Sequence, residues 1–251
     1  MTLSHRRSRV LIVAAVLVAT IGATAIVFVT TGHTAHVSRP TGHVHPTGMP
    51  TSSTAKRPRA VPTNASPGTG LAVPTIDLSQ IRWMDYDGCQ LPISPTAGPR
   101  STAGGVASGF ADSPAGALLA AVNIAVRTSW EFGPQVFQTV IENQVTGQYQ
   151  ADLLTDALDS WDQAAQQDPD PGSCAEMDGF AWQYYSSSAA ALDVAESATV
   201  KASTVTVAAQ VQLQWIDGDW EVVAPDGGDW SNVSTELASL TGYTLFPGQG
   251  G

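Results

Sequence analysis

The chain has 251 residues, of which 22 are acidic and 11 are basic. All of the acidic residues follow Pro74, whereas only four of the basic residues do, so residues 75–251 carry a formal charge of 4 − 22 = −18. Because nucleic-acid affinity comes mostly from Lys and Arg side chains that neutralise phosphates, this charge argues against direct nucleic-acid binding by the acidic part.

The five histidines also precede the acidic part. They are His5, His33, His36, His43 and His45. Ser-His-Asp catalysis, Cys-His catalysis and His-ligated zinc all need an imidazole. The acidic part therefore lacks these chemistries unless the segment before it supplies a ligand. We expect no cofactor and no metal ion in it.

The first predicted element is a transmembrane helix at residues 10–29. The arginine-rich residues 1–9 are followed by VLIVAAVLVATIGATAIVFV, which has no charge, and about 20 apolar residues are enough to cross a bilayer core. A cleaved signal peptide is the alternative, since Ala23-Thr24-Ala25 resembles a cleavage site. The apolar run continues past that site, which favours an uncleaved anchor. The arginines predict a cytoplasmic tail at 1–9 and an extracytoplasmic remainder, so the protein is expected to be a single-pass protein of the cell membrane.

Residues 30–74 are predicted to be a disordered linker. This segment consists mainly of Thr, Pro, Gly, Ser and His and has almost no large apolar side chains. It cannot bury enough surface to offset the conformational entropy that folding would remove. Residues 75–251 are then expected to form one acidic α+β domain outside the membrane.

Three helices are predicted in the first half of this domain. Asp112-Ser113-Pro114 is typical of a helix start, and the apolar segment after it indicates a buried helix. A second helix follows Gly133-Pro134, and a third follows Gly147 and ends before Pro169. The apolar face of the second helix is expected to comprise Val136, Phe137, Val140, Ile141 and Val145.

Strands are predicted in the second half. Phe180, Trp182 and Tyr184 alternate with smaller or polar residues, and AALDVAES alternates more weakly. The alternation is strict in TVTVAAQVQLQW, which predicts a strand with one buried face and one solvated face.

The stretch LQWIDGDWEVV has two interpretations, a metal loop or a hairpin turn. If Asp217-Gly218 is a two-residue type I′ turn, Trp215 lies opposite Trp220, and every core residue meets a core residue. A calcium loop would need a glutamate at position twelve, and counting from Asp217 gives Gly228 there. We therefore predict a structural hairpin.

The chain contains only two cysteines, Cys89 and Cys174. Disulfides persist on the outer side of the cell membrane, and an even number of cysteines there predicts a pair. We expect a disulfide that closes a loop of roughly 85 residues.

These elements indicate an α+β domain in which about three helices pack on a curved antiparallel sheet of about four strands. The segments RWMDYDGCQLPISPTAGPR, GGVASGFADSPAGALLAAVNIAVRT, LQWIDGDWEVV and LASLTGYTLFPG resemble a family of actinobacterial membrane-anchored proteins associated with conjugative and integrative elements. The resemblance covers residues 83–248. It implies a cone-like, nuclear-transport-factor-2-like domain similar to the bitopic periplasmic subunit of type IV secretion systems.

The resemblance implies a non-enzymatic structural subunit of a conjugative DNA-transfer or type IV secretion-like apparatus. Such a subunit assembles with other envelope proteins or with copies of itself. Two alternatives stay open: a ketosteroid-isomerase-like enzyme in which Asp193 or Asp217 is the general base, and an envelope protein that binds a small apolar ligand in the cone. A deep pocket with a buried carboxylate would favour the enzyme, and a closed aliphatic interior would favour the subunit.

Overall fold

A computed structural model describes residues 73–164, 174–200 and 202–248. The helices are α1 (Pro114–Arg127), α2 (Pro134–Gln144) and α3 (Gln150–Ala164). The strands are β1 (Arg82–Tyr86), β2 (Cys89–Ile93), β3 (Val145–Thr146), β4 (Glu176–Tyr185), β5 (Ala189–Val200), β6 (Ser203–Ile216), β7 (Asp219–Val223), β8 (Ser234–Glu236) and β9 (Thr244–Leu245). None of the helices in these ranges has the length and apolar character needed to cross a membrane. The predicted anchor, residues 30–72 of the predicted linker and Pro169 lie outside the described residues.

The predicted fold class is wrong. We expected three helices on an antiparallel sheet of about four strands with a nuclear-transport-factor-2-like layout. The domain is instead dominated by a mixed sheet of seven strands in the order β3-β7-β6-β5-β4-β9, with β8 paired to β6. β3 runs parallel to β7, with Val145 opposite Val222. A separate two-stranded hairpin, β1–β2, precedes the helices.

The unexpected strands of the main sheet are short, which explains why the sequence pattern does not reveal them. β3 has two residues and directly follows α2, so Val145 continues the apolar spacing of that helix although it belongs to a strand. β8 and β9 have three and two residues, which is too short to show a period of two. Such segments become strands because a neighbouring strand offers hydrogen-bond partners, and this depends on tertiary context.

The core lies between α1 and the inner face of the main sheet. The Ser113 side chain caps α1 by accepting a hydrogen bond from the Gly116 N–H, and Pro114 occupies its first turn. β5 and β6 pair along their whole length, with Leu192 opposite Val211. Both of these side chains are buried, as is nearly all of α1. Apolar residues at every second position of β5 and β6 therefore form the apolar face of the sheet against which α1 packs.

The disulfide connects the small hairpin to the main sheet. Cys89 in β2 is bonded to Cys174, which lies just before β4, and their Cα atoms are 5.3 Å apart. This separation falls within the usual range for disulfides. The hairpin also contacts the end of the chain, because the Trp83 indole donates a hydrogen bond to the Pro247 carbonyl at 3.0 Å.

Candidate functional site

The LQWIDGDWEVV stretch forms the β6–β7 hairpin. Asp217, with φ of 50°, and Gly218, with φ of 91°, occupy the turn, and Trp215 lies opposite Trp220. A type I′ turn requires a positive φ at both of its central residues, and Asp-Gly accepts this conformation. Across the described ranges, no group of three or more His, Cys, Asp and Glu side chains is placed to hold a metal ion.

Asp219, the second aspartate of the stretch, anchors a distant loop. Its two carboxylate oxygens accept hydrogen bonds from the backbone N–H groups of Gly109, at 2.6 Å, and Phe110, at 3.0 Å. The neighbouring Trp220 indole donates to the Ala111 carbonyl at 2.9 Å. These bonds hold the residues that lead into α1, so the hairpin positions the helix that forms one wall of the core.

The two aspartates considered as general bases lie elsewhere. Asp193 is on the outer face of the sheet, where both carboxylate oxygens accept a hydrogen bond from the Gln183 amide at 3.1 and 2.9 Å. Asp217 is exposed in the hairpin turn. The structure brings neither side chain to the cavity between α1 and the sheet.

That cavity is apolar and contains one ionisable side chain. α1 contributes Ala121 and Ala125 to its wall, the sheet contributes Val194 and Val211, and Glu196 is the ionisable member. The cavity volume is about 30 Å³, which is room for about two water molecules. The cavity thus contains a buried carboxyl group, which the enzyme hypothesis requires, but its volume is small.

Strand pairing carries Glu196 into the core. It lies opposite Val207 of β6 and Met177 of β4, in the same phase of β5 as Leu192 and Val194. Its side chain is 3 % exposed. No residue in the described ranges makes a hydrogen bond to its carboxyl group. Such a group is unusual because buried carboxyls normally have partners.

Burial raises the pKa of Glu196 to about 8, and the negative charge of Asp178 acts in the same direction. Burial also raises the pKa of Asp178, while a hydrogen bond from the Ser197 hydroxyl lowers it. The donor–acceptor distance of that bond is 3.2 Å. At neutral pH the Glu196 carboxyl is therefore mostly protonated in the free protein.

Sequence reasoning missed Glu196, although the sequence contains a signal for it. In β5 the residues Ala190, Leu192, Val194 and Glu196 share one phase of the alternation. A glutamate in the apolar phase of a central strand is the pattern that marks a buried carboxyl group. AALDVAES alternates too weakly for that phase to be chosen before the pairing with β6 is known.

Arg127 is a second buried ionisable residue, and its contacts give it a structural role. The side chain is fully buried, its Nε donates to the Gly105 carbonyl at 2.9 Å, and its Nη1 donates to the Asn123 side chain at 2.8 Å. The guanidinium lies 4.0 Å from the centre of the Tyr86 ring. Burial lowers the pKa of Arg127 to about 10, and Tyr86 opposes this change. Arg127 therefore remains charged and ties the end of α1 to the loop and to β1.

The sequence matches the family described as a domain of unknown function, DUF8175, over residues 44–245. The chain belongs to the DUF8175 family. Neither a curated protein nor a solved structure matches it. The match begins inside the predicted linker and ends at the last residue of β9, so the DUF8175 domain includes every described helix and strand. The family description names no activity.

Proposed function

We propose that this protein is a non-enzymatic, membrane-tethered subunit of a conjugative DNA-transfer or type IV secretion-like apparatus. It assembles with other envelope proteins, or with copies of itself, through an acidic domain outside the cell membrane. The observation that carries the proposal is the order of segments along the chain. An uncharged apolar run of membrane-spanning length comes first, a polar linker follows, and a disulfide-bonded domain comes last.

The disulfide supports the extracytoplasmic side. Cys89 and Cys174 have the geometry of a bonded pair in the folded domain, and structural disulfides persist in oxidising compartments. The same side follows from the arginines that precede the apolar run, since basic residues next to a membrane helix stay in the cytoplasm. Two independent features thus agree on the topology.

The charge and the linker support assembly with proteins rather than with DNA. A formal charge of 4 − 22 = −18 after Pro74 repels phosphate backbones. The disordered linker that the composition of residues 30–74 predicts would let the domain reach partners over several tens of ångströms. Confinement to one surface raises the effective concentration of partners that are tethered there.

The test is genetic. Deleting the gene should stop transfer of the element that encodes it, and the full-length chain should restore transfer. A chain that lacks residues 1–29, exported by a cleavable signal peptide, should fail to restore it because the domain is no longer confined to the membrane. Transfer frequency is the measurement, and immunoblotting verifies that both proteins accumulate outside the cytoplasm.

A matched control tests whether the particular sequence of the anchor matters or only its ability to span the membrane. Replacing residues 10–29 with an unrelated apolar helix of equal length should restore transfer, because the proposal needs only a tether. Normal transfer in the deletion strain, or full rescue by the untethered domain, would contradict the proposal.

A further inference from the structure

The cavity beside Glu196 has the features of a binding site that the proposed assembly function does not use. We propose that it binds the ammonium group of a small aliphatic amine, with the Glu196 carboxylate as the counter-ion and the apolar walls around the alkyl part. This inference is independent of the membrane tether and of the transfer apparatus.

The first argument is the state of the Glu196 carboxyl. It is 3 % exposed, and no hydrogen bond joins it to any other side chain or backbone group in the described ranges. A buried polar group without a partner costs free energy, and an aliphatic side chain at this position of β5 would be more favourable for stability alone. A ligand that supplies the partner removes this cost.

The second argument is the sign of the local charge. Asp178 of β4 is the other charged group that acts on Glu196, and it is also negative. Arg127 belongs to α1, which forms one wall of the cavity, but its guanidinium is bonded to Asn123 and Gly105 and lies over Tyr86. The carboxyl group therefore lacks a cation from the described elements packed around it. An ammonium ligand compensates the charge of the ionised carboxyl group, so its binding releases the carboxyl proton to the solvent, whereas an anion would be repelled.

The third argument is size. The cavity of about 30 Å³ accepts a group as large as about two water molecules, such as an ammonium with its first carbon. Ala121 and Ala125 leave this space because their side chains end at Cβ. The surrounding side chains, among them Val122, Val194 and Val211, are apolar. They exclude a strongly hydrated metal cation but accept the carbon next to an ammonium group.

The experiment compares methylamine with methanol, which has the same number of non-hydrogen atoms and no charge. Thermal unfolding of the full-length protein in detergent micelles is followed by circular dichroism at pH 7.5 while either compound is added at equal ionic strength. The amine should raise the unfolding temperature, since a ligand that binds only the folded state stabilises it. The alcohol should not. Tetramethylammonium, which is too large for the cavity, controls for cations that associate with the acidic surface.

Two variants locate the effect. Glu196→Gln keeps the shape of the side chain and removes its charge, so it should weaken amine binding at least about tenfold. Glu142→Gln removes an exposed charge from α2 and should bind the amine as the unaltered protein does. Equal stabilisation by amine and alcohol, no stabilisation by the amine, or unchanged binding in Glu196→Gln would overturn the proposal. If Glu196→Gln does not fold, the comparison of the two compounds on the unaltered chain still tests the proposal.

Discussion

Asp219 and Glu196 illustrate how the surroundings of a single carboxyl group determine its role. Asp219 accepts two backbone N–H bonds from the loop before α1, so it acts as an anchor for that loop. Glu196 receives no hydrogen bond from the described part of the chain and lies between Val207 and Met177. Desolvation consequently disfavours its charged form. The first group holds the loop in place, whereas ionisation of the second group lowers the stability of the fold.

The buried glutamate leads to a prediction about pH. The pKa of Glu196 rises from 4.5 to about 8 on folding, so the folded state holds more protons than the unfolded state between these values. The free energy of unfolding should therefore fall as the pH rises from about 5 to about 8, by an amount on the order of a few kcal/mol, and should then level off. Glu196→Gln should remove this part of the slope and be more stable than the unaltered protein above pH 8.

Urea unfolding at pH 5, 6.5, 8 and 9 measures the effect, and Glu142→Gln is the control for the loss of one negative charge. Parallel stability profiles for the unaltered protein and Glu196→Gln would show that the carboxyl group is not buried in the folded state.

At the scale of elements, the β6–β7 hairpin combines a local turn with long-range anchoring. The turn depends on two residues, Asp217 and Gly218, that accept a positive φ. The packing depends on Trp220, which is fully buried, and on Trp215, whose ring centre lies 5.3 Å away in an edge-to-face arrangement. Because Trp220 also bonds to Ala111, the hairpin and the start of α1 form one structural unit.

This arrangement predicts different effects for two substitutions only three residues apart. Trp220→Ala should lower the free energy of unfolding by about 3 to 5 kcal/mol, because it leaves a large cavity and removes the hydrogen bond to Ala111. Asp217→Asn should cost less than about 0.5 kcal/mol, since Asn-Gly also suits the turn. Chemical denaturation followed by far-ultraviolet circular dichroism measures both.

Trp161→Ala is the matched control for the loss of an indole, because Trp161 is 37 % exposed on α3. A large loss of stability in Asp217→Asn would indicate that the turn aspartate has a role, such as metal binding, beyond the backbone conformation.

At the scale of the whole molecule, the Cys89–Cys174 disulfide joins the small hairpin covalently to the segment that enters the main sheet. The hairpin β1–β2 belongs to its own two-stranded sheet, and the bond joins it to the segment that enters β4 over a sequence separation of 85. Closing so long a loop reduces the entropy of the unfolded chain, which is the main route by which a disulfide stabilises a fold.

Removing this bond should therefore destabilise the domain. Cys89→Ser combined with Cys174→Ser should lower the free energy of unfolding by about 4 kcal/mol in the chain-entropy description. A reducing agent should have a similar effect on the unaltered protein and none on the double variant, which serves as the control. An unfolding midpoint that does not change on reduction would contradict the prediction.

The sequence by itself determined those features whose cause is local. Ser113 and Pro114 specify the start of α1 because capping and a fixed φ act within one turn. The strict alternation of β6, together with Asp217-Gly218, is enough to place Trp215 opposite Trp220, because a slip of one residue would turn the buried face to solvent. With two cysteines, only one intramolecular pairing exists.

Only the tertiary structure decided the remaining features. β3, β8 and β9 are too short for a periodic signal, and they are strands because β7, β6 and β4 offer them free edges. Their presence makes the sheet mixed and seven-stranded, which overturns the predicted fold. The burial of Glu196 also depends on tertiary contacts, since β4, β6 and α1 surround it and its neighbours in β5 do not determine its environment. Long-range packing selects which face of a weakly alternating strand is inner, and a local pattern does not contain that information.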